Sequence, residues 1–111
     1  MSEINIWVIF GLIVSHFVGD FLLQSDEVAK SKSKSNLVLS KHVLLYGLPF
    51  LWLGVWFYIV TIVLHFVVDY FTSRASSYMY NRDIHWFFVI IGLDQMLHMI
   101  SLVGTVFWVG V

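Results

Sequence analysis

Seven ionisable side chains lie within otherwise apolar stretches of the sequence, where charged groups are rare. Burying a single Asp in hydrocarbon costs roughly 2.5–3.5 kcal/mol on insertion scales. A chain of only 111 residues that keeps seven such groups inside its apolar stretches is therefore expected to use them for a common chemical purpose. The seven residues are His16, Asp20, His42, His65, Asp69, Asp94 and His98.

Six of the seven residues form three pairs in which the partners are four positions apart. Residues at this spacing lie one above the other on the same face of an α-helix. Three helices are thus each predicted to offer one imidazole and one carboxylate, and His42 adds an imidazole from a fourth helix. The pairs are His16 with Asp20, His65 with Asp69, and Asp94 with His98.

Imidazole and carboxylate groups are the nitrogen and oxygen ligands of Zn²⁺, Mn²⁺ or Fe²⁺. Seven such groups predict a site for one or two divalent ions, as in the di-metal sites of helical bundles. The three carboxylates, Asp20, Asp69 and Asp94, are also candidates for the general base of a catalysed reaction. The chain has no cysteine, so thiolate ligands and disulfides are excluded. The alternative is a purely structural role, in which the His–Asp pairs are hydrogen bonds between helices.

Three further polar residues are candidates for contacts around the ligands. Gln24 lies one helical turn after Asp20, on the face that carries His16 and Asp20, and Gln95 follows Asp94 directly. Either amide could therefore hydrogen-bond to a ligand. Lys30 could neutralise a substrate anion at the mouth of the site.

The elements that carry these residues are predicted to be membrane-spanning helices in a single domain, residues 1–111. The composition is 59% hydrophobic and 12% charged, which is too apolar for the surface of a small soluble domain, and the Trp residues lie near the ends of apolar runs, as in an interfacial belt. Polar loops are predicted at Gln24–Ser35 and Thr72–Asp83, Asn36 as a helix N-cap, and Pro49 with Gly54 as a kink or turn. The fold class is therefore all-α, a four-transmembrane-helix bundle with spans at about 4–23, 37–52, 55–71 and 84–108.

A count of three spans is the alternative, with residues 37–71 as one helix. At about 1.5 Å per residue, such a helix would greatly exceed the roughly 30 Å thickness of a bilayer core, so four spans are preferred.

The Lys and Arg residues predict the orientation of the bundle. All of them lie in the two polar loops, apart from Lys41 one turn into the second helix. The positive-inside rule places both loops in the cytoplasm and both termini outside, in a bacterial inner membrane. The first and third helices run toward a cytoplasmic loop and carry His before Asp, whereas the fourth helix begins at such a loop and carries Asp before His. All seven ionisable groups are therefore predicted to lie in the cytoplasmic half of the membrane.

The motifs around these residues resemble a family of small bacterial and phage membrane proteins, domain of unknown function 3307. The resemblance covers nearly the whole chain and implies no particular activity. There is also a more distant likeness to inner-membrane metal-dependent hydrolases, which array His and Asp on transmembrane helices. The motifs are Ser15–Asp26 followed by Lys30, Lys41–Tyr46, His65–Tyr70 and Asp94–His98.

These patterns lead us to expect a membrane-embedded, metal-dependent hydrolase acting on a lipid or lipid-linked ester or phosphoester at the cytoplasmic leaflet. The alternatives are a metal-ion or proton transporter, a haem- or quinone-binding protein, and a phage accessory protein without catalysis. Membrane lipid is the expected partner, and an oligomer is possible. Nucleic-acid binding is not expected from a net charge of −1.

Overall fold

The structure is a computed structural model that describes residues 5–110 and is helical throughout that range except for short connections. The predicted start of the first span at Ile4, and the two termini, lie outside the described residues. We number five helices in chain order. They are α1 (Ile6–Phe17, continued by a π-helix, Val18–Leu22), α2 (Asp26–Ser31), α3 (Asn36–Gly47, continued by a 3₁₀-helix, Leu48–Leu53), α4 (Val55–Tyr80) and α5 (Ile84–Val109).

The first polar connection is more ordered than predicted. The segment predicted as a loop contains α2, whose N-cap Ser25 accepts a hydrogen bond from the Val28 amide. The N-cap of α3 is Ser35, and not Asn36 as predicted. Ser35 has extended backbone and its hydroxyl accepts from the Val38 amide, so Asn36 becomes the first helical residue.

The turn between α3 and α4 agrees with the prediction. Pro49 lies at the start of the 3₁₀-helix, since its ring nitrogen has no hydrogen to donate to the preceding α-helical turn. Gly54 then reverses the chain with a φ of 105°, a backbone angle that favours glycine.

The prediction of a second loop at Thr72–Asp83 is wrong over most of that range. Helix α4 continues to Tyr80, so only three residues connect it to α5. The segment is polar, but it contains no glycine or proline to end a helix. Its hydroxyls bond within α4, as Thr72 does to the Val68 carbonyl and Ser76 to the Ser73 carbonyl. The polar residues Thr72, Ser73 and Ser76 thus form a buried face of α4 and do not end the helix.

The long helices pack antiparallel to their sequence neighbours. Gly19 lies against the Tyr46 backbone, while further along the pair Ser15 donates to the Pro49 carbonyl, so α1 and α3 run in opposite directions. Helices α4 and α5 pair in the same way, through Thr72 with Asp94 near the middle and Tyr80 with Phe87 near the connection.

The bundle is apolar outside and polar inside. The buried side chains include more polar than apolar residues, whereas the exposed ones include many Trp, Phe, Leu and Ile. Three segments are long and apolar enough to cross a membrane: Asn36–Leu53, Val55–Tyr80 and Ile84–Val109. The remaining apolar segment, Ile6–Leu22, is shorter. A continuous apolar core fills the end of the bundle away from the polar connections, formed by Leu12, Tyr46, Phe50, Phe57, Leu102 and Val106.

Candidate metal centre

All seven residues selected from the sequence meet in one continuous cluster inside the bundle. Each is less than 9% exposed, although they come from four different helical segments. Asp69 is central, because its two carboxylate oxygens face different histidines. Its Oδ2 lies 3.5 Å from His42 Nε2 and 3.4 Å from His65 Nε2, and its Oδ1 lies 3.3 Å from His98 Nε2.

Four of the seven residues have the spacing of a tetrahedral ligand set. A tetrahedral ion with bonds of about 2.0–2.1 Å holds neighbouring ligand atoms about 3.3–3.4 Å apart. In this group His42 Nε2 lies 3.2 Å from His65 Nε2 and 3.1 Å from Asp20 Oδ1, and His65 Nε2 lies 3.6 Å from Asp20 Oδ1. Together with the two distances to Asp69 Oδ2, five of the six edges of the tetrahedron fall near the expected length. Asp20, His42, His65 and Asp69 could thus hold a metal ion.

Two features of this group are compatible with a bound cation. Asp20 Oδ1 is buried and forms no hydrogen bond within the described chain, although His42 Nε2 is close, because the geometry of a hydrogen bond is not met. A buried carboxylate oxygen without a donor is costly. His42 and His65 also point the same ring nitrogen, Nε2, at each other. Converging nitrogens and a carboxylate oxygen without a donor fit a divalent ion.

A second group shares Asp20 with the first. Asp20, Asp94 and His98 offer ligand atoms that all lie close enough together to hold a metal ion. His98 Nε2 lies 3.0 Å from Asp94 Oδ1. The other carboxylate oxygen of Asp94 accepts a hydrogen bond from Gln95 Nε2 at 3.0 Å, and Oδ1 also accepts from the Thr72 hydroxyl. The cluster therefore has donor atoms for two neighbouring ions.

His16 belongs to neither group and lies beside both. Its Nδ1 is 2.8 Å from the Tyr46 hydroxyl, its Nε2 is 2.7 Å from Gln95 Oε1, and Asp20 Oδ2 is 4.0 Å away. The predicted ligand thus has two hydrogen-bond partners around the site. Gln95, one of the polar residues singled out from the sequence, links His16 to Asp94 through hydrogen bonds. Tyr46 is also part of the site, because its ring stacks on His65 at 3.7 Å between centroids.

Asp20 is positioned by a π-helical turn that sequence spacing did not predict. The Leu23 amide bonds to the Val18 carbonyl five residues back, which widens the turn that carries Asp20. Gly19 makes the position possible, because a Cβ there would lie 2.6 Å from the Tyr46 carbonyl oxygen. Helix α1 therefore approaches α3 closely, and Asp20 lies nearer to His42 than to its sequence partner His16.

A cavity of about 680 Å³ leads from the polar connections to the cluster. Asp69 and Asp94 lie among its walls, whereas the other five residues of the cluster do not. Lys30 and Gln24, both predicted near the site, also line this cavity. The Lys30 side chain is exposed, and Gln24 has a buried amide oxygen without a partner in the described chain.

Lys32, and not Lys30, reaches the cluster. Its ammonium donates to Asp69 Oδ2 at 2.9 Å and is mostly buried. Burial alone would lower the pKa of Lys32, but the nearby carboxylates of Asp69 and Asp20 outweigh burial and raise the pKa above its usual value. Lys32 therefore stays charged at neutral pH. The sequence showed it only as one of three alternating lysines, which was no signal for contact with a ligand.

Comparison with known proteins identifies a family for this chain but no activity. The chain matches, over residues 8–110, the family model described as "Protein of unknown function (DUF3307)". No curated protein and no solved structure matches the chain.

Proposed function

This chain belongs to DUF3307, a family of proteins of unknown function, and we propose that it is a membrane-embedded, metal-dependent hydrolase. Its substrate in this proposal is a lipid or lipid-linked ester or phosphoester. The observation that carries the proposal is the group of Asp20, His42, His65 and Asp69, which has tetrahedral spacing and lies beside a cavity large enough for a head group. Such pockets are the usual sites of small-molecule chemistry.

The proposal gives the three carboxylates different roles. Asp20 and Asp69 are ligands, because their oxygens lie among the histidine nitrogens. Asp94 is the general base, because it lines the cavity and is held by Thr72 and Gln95 in a fixed orientation. A divalent ion, Zn²⁺, Mn²⁺ or Fe²⁺, would supply Lewis acidity and lower the pKa of a bound water. In hydrolysis, the water oxygen would join the carbonyl carbon or phosphorus while Asp94 accepts a water proton. The bond to the alcohol oxygen would then break, and Asp94 would return the proton to the leaving alcohol.

The rest of the bundle favours a closed site over a transport path. The cavity opens beside the polar connections, and the apolar core that contains Leu12, Phe50 and Phe57 fills the opposite end. The sequence has no Asp, Glu, His, Lys or Arg at 47–61 or 99–110, so no relay of charged groups continues through that end. We infer that Ile6–Leu22 is a fourth, short span and that the cavity faces the cytoplasmic leaflet, where Lys residues are retained.

Metal content and lipid hydrolysis of the purified chain test this proposal. We expect stoichiometric Zn, Mn or Fe by elemental analysis of detergent-purified protein. Asp69→Asn should remove the metal, because it replaces a central ligand. Asp94→Asn should abolish release of products from bacterial lipids in nanodiscs, measured by mass spectrometry, while the metal of the first group remains.

Two variants outside the cluster serve as matched controls. Asp26→Asn changes an exposed Asp in α2, and His85→Ala changes an exposed His at the start of α5. Both should keep the metal and the activity. If the folded protein cannot be loaded with any divalent ion, the proposal is wrong, and the His–Asp pairs serve as hydrogen bonds between helices. Metal or proton flux in proteoliposomes without hydrolysis would make the protein a transporter.

A further inference from the structure

The wall of the cavity contributed by the first polar connection is cationic. Lys30, Lys32 and Lys34 all line the cavity. Lys32 is paired with Asp69, whereas Lys30 and Lys34 have no carboxylate partner among residues 5–110. The connection is held over the cavity by a hydrogen bond of 2.9 Å from the Ser77 hydroxyl to Ser33. Among residues 5–110, the Lys30 and Lys34 ammonium groups therefore lie at the mouth of the cavity without a carboxylate partner.

The facing wall, from the polar half of α4, is lined by hydroxyl groups. Thr72, Ser73, Ser76 and Ser77 all contribute to it. Ser73 is the informative residue, because its hydroxyl is buried and has no hydrogen-bond partner in the described chain. A buried hydroxyl of this kind costs free energy unless a ligand uses it. On the same cavity, Gln24 has a buried amide oxygen without a partner.

Part of the remaining wall of the cavity is apolar, so the cavity as a whole could hold a molecule with an anionic group and an apolar part. Phe87 and Ile91 of α5 give the cavity an apolar side. Ammonium groups and hydroxyl donors together are the usual partners of phosphate oxygens, for which Lys acts as a point charge. A neutral carboxyl ester would use neither lysine. A phosphate between the lysines and the cluster would face ammonium groups on one side, and on the other Asp69 and Asp94, whose negative charge a bound divalent ion would offset.

We propose that this cavity binds a phosphate group, held by Lys30, Lys34 and Ser73, so that the substrate class is a phosphoester. Calling the bound molecule a substrate rests on the proposed hydrolase function. The binding of phosphate itself does not, because it can be measured without turnover. The phosphate belongs either to a lipid head group or to a soluble molecule, and the chemistry of recognition is the same.

Binding of two probes to the full-length, detergent-purified chain tests the inference. Inorganic phosphate is titrated calorimetrically, and phosphatidic acid is compared with diacylglycerol of the same acyl chains by native mass spectrometry. The double variant Lys30→Gln/Lys34→Gln should weaken binding of the phosphate-bearing probe about tenfold or more, as expected for lost charge-assisted contacts. Ser73→Ala should weaken it several-fold. Metal content should not change in either variant.

The matched double variant Lys41→Gln/Arg82→Gln removes the same charge from exposed positions that do not line the cavity. Ser40→Ala is the control for Ser73, because the Ser40 hydroxyl bonds to the Asn36 carbonyl of its own helix. These controls should bind the probes as the unmodified chain does. Preference for phosphatidic acid identifies a lipid head group, and equal binding of inorganic phosphate identifies a soluble phosphate.

Three results would overturn the inference: equal weakening in both double variants, unchanged binding in Lys30→Gln/Lys34→Gln, or diacylglycerol bound as tightly as phosphatidic acid. Each leaves the proposed hydrolase intact if the metal and ester hydrolysis persist. Conversely, phosphate binding that depends on Lys30 and Lys34 in a chain without metal or hydrolysis would retain the phosphate site and reject the hydrolase.

Discussion

The Asp69 carboxylate is surrounded by histidines from α3, α4 and α5 and by Lys32 of the first polar connection. Asp69 faces two histidines through one oxygen and a third through the other, and Lys32 donates to the oxygen that also faces His42 and His65. Lys32 would therefore have two opposite effects on a divalent ion bound here. It stabilises the Asp69 carboxylate before an ion binds, and it would repel the ion and compete for Asp69 Oδ2.

Replacing Lys32 with Met tests this competition. Lys32→Met keeps most of the length of the side chain and removes its charge, so we expect metal to bind about tenfold more tightly or better, because like charges at short range repel by a few kcal/mol. The metal-free protein should be less stable to heat, since Asp69 loses its cation. Competition with a chelator measures the affinity, and Lys34→Met is the control. Weaker metal binding in folded Lys32→Met would contradict the prediction.

At the scale of elements, the π-helical turn in the first helix and the close packing of α1 on α3 determine where Asp20 lies. Gly19 lies within this turn and against the backbone of Tyr46. Backbone cannot move aside as a flexible side chain can. The distance of 3.1 Å between Asp20 and His42 therefore depends on the absence of a side chain at position 19.

Adding a methyl group at Gly19 should separate the two helices. Gly19→Ala is expected to lower stability by about 1–3 kcal/mol through overpacking, and to weaken metal binding as Asp20 moves away from His42. Gly92→Ala is the control, because nothing lies within 4 Å of a Cβ there, and it should be neutral or stabilising by helix propensity. Thermal unfolding in detergent and metal content measure both effects. If Gly19→Ala retained the metal and the stability of Gly92→Ala, the close packing would not position Asp20.

The whole molecule has its apolar surface outside and its polar groups inside, as expected where lipid surrounds the protein. Trp7, Trp56 and Trp108 are all highly exposed and come from the end of the bundle away from the polar connections. Trp residues of this kind anchor at the membrane interface. The cavity, the lysines that line it and the His–Asp cluster all belong to the opposite half, so the candidate site lies at one end of the molecule.

Labelling of single cysteines tests which end faces the cytoplasm. The chain has no cysteine of its own, so single variants have no background. We expect an impermeant maleimide to label Val55→Cys, at the α3–α4 turn, in intact cells, because positive residues keep the other end inside. Ala29→Cys in α2 should react only after permeabilisation. The reverse pattern would invert the orientation, and labelling of both would contradict the spans.

The sequence alone was enough to predict the helical fold class and the members of the cluster. Apolar runs of sufficient length and the scarcity of charge inside them are local properties, so they predicted long apolar helices and singled out His16, Asp20 and their counterparts. Pro49 and Gly54 likewise predicted the turn, because their backbone restrictions act locally. The length of α4 was missed, since a polar buried face and a polar loop have the same composition, and only packing against α5 distinguishes them.

The tertiary structure decided how the seven residues divide. Spacing by four predicted equivalent pairs, but Asp20 joins His42 and His65 of other helices, and His16 instead contacts Tyr46 and Gln95. These contacts depend on a π-helical turn and on the distance between helices, which no local pattern encodes. Lys32 was missed for the same reason, because its proximity to Asp69 arises only when the first polar connection folds back over α4. Local sequence thus determines which groups are buried, and packing between helices determines which of them share a ligand site.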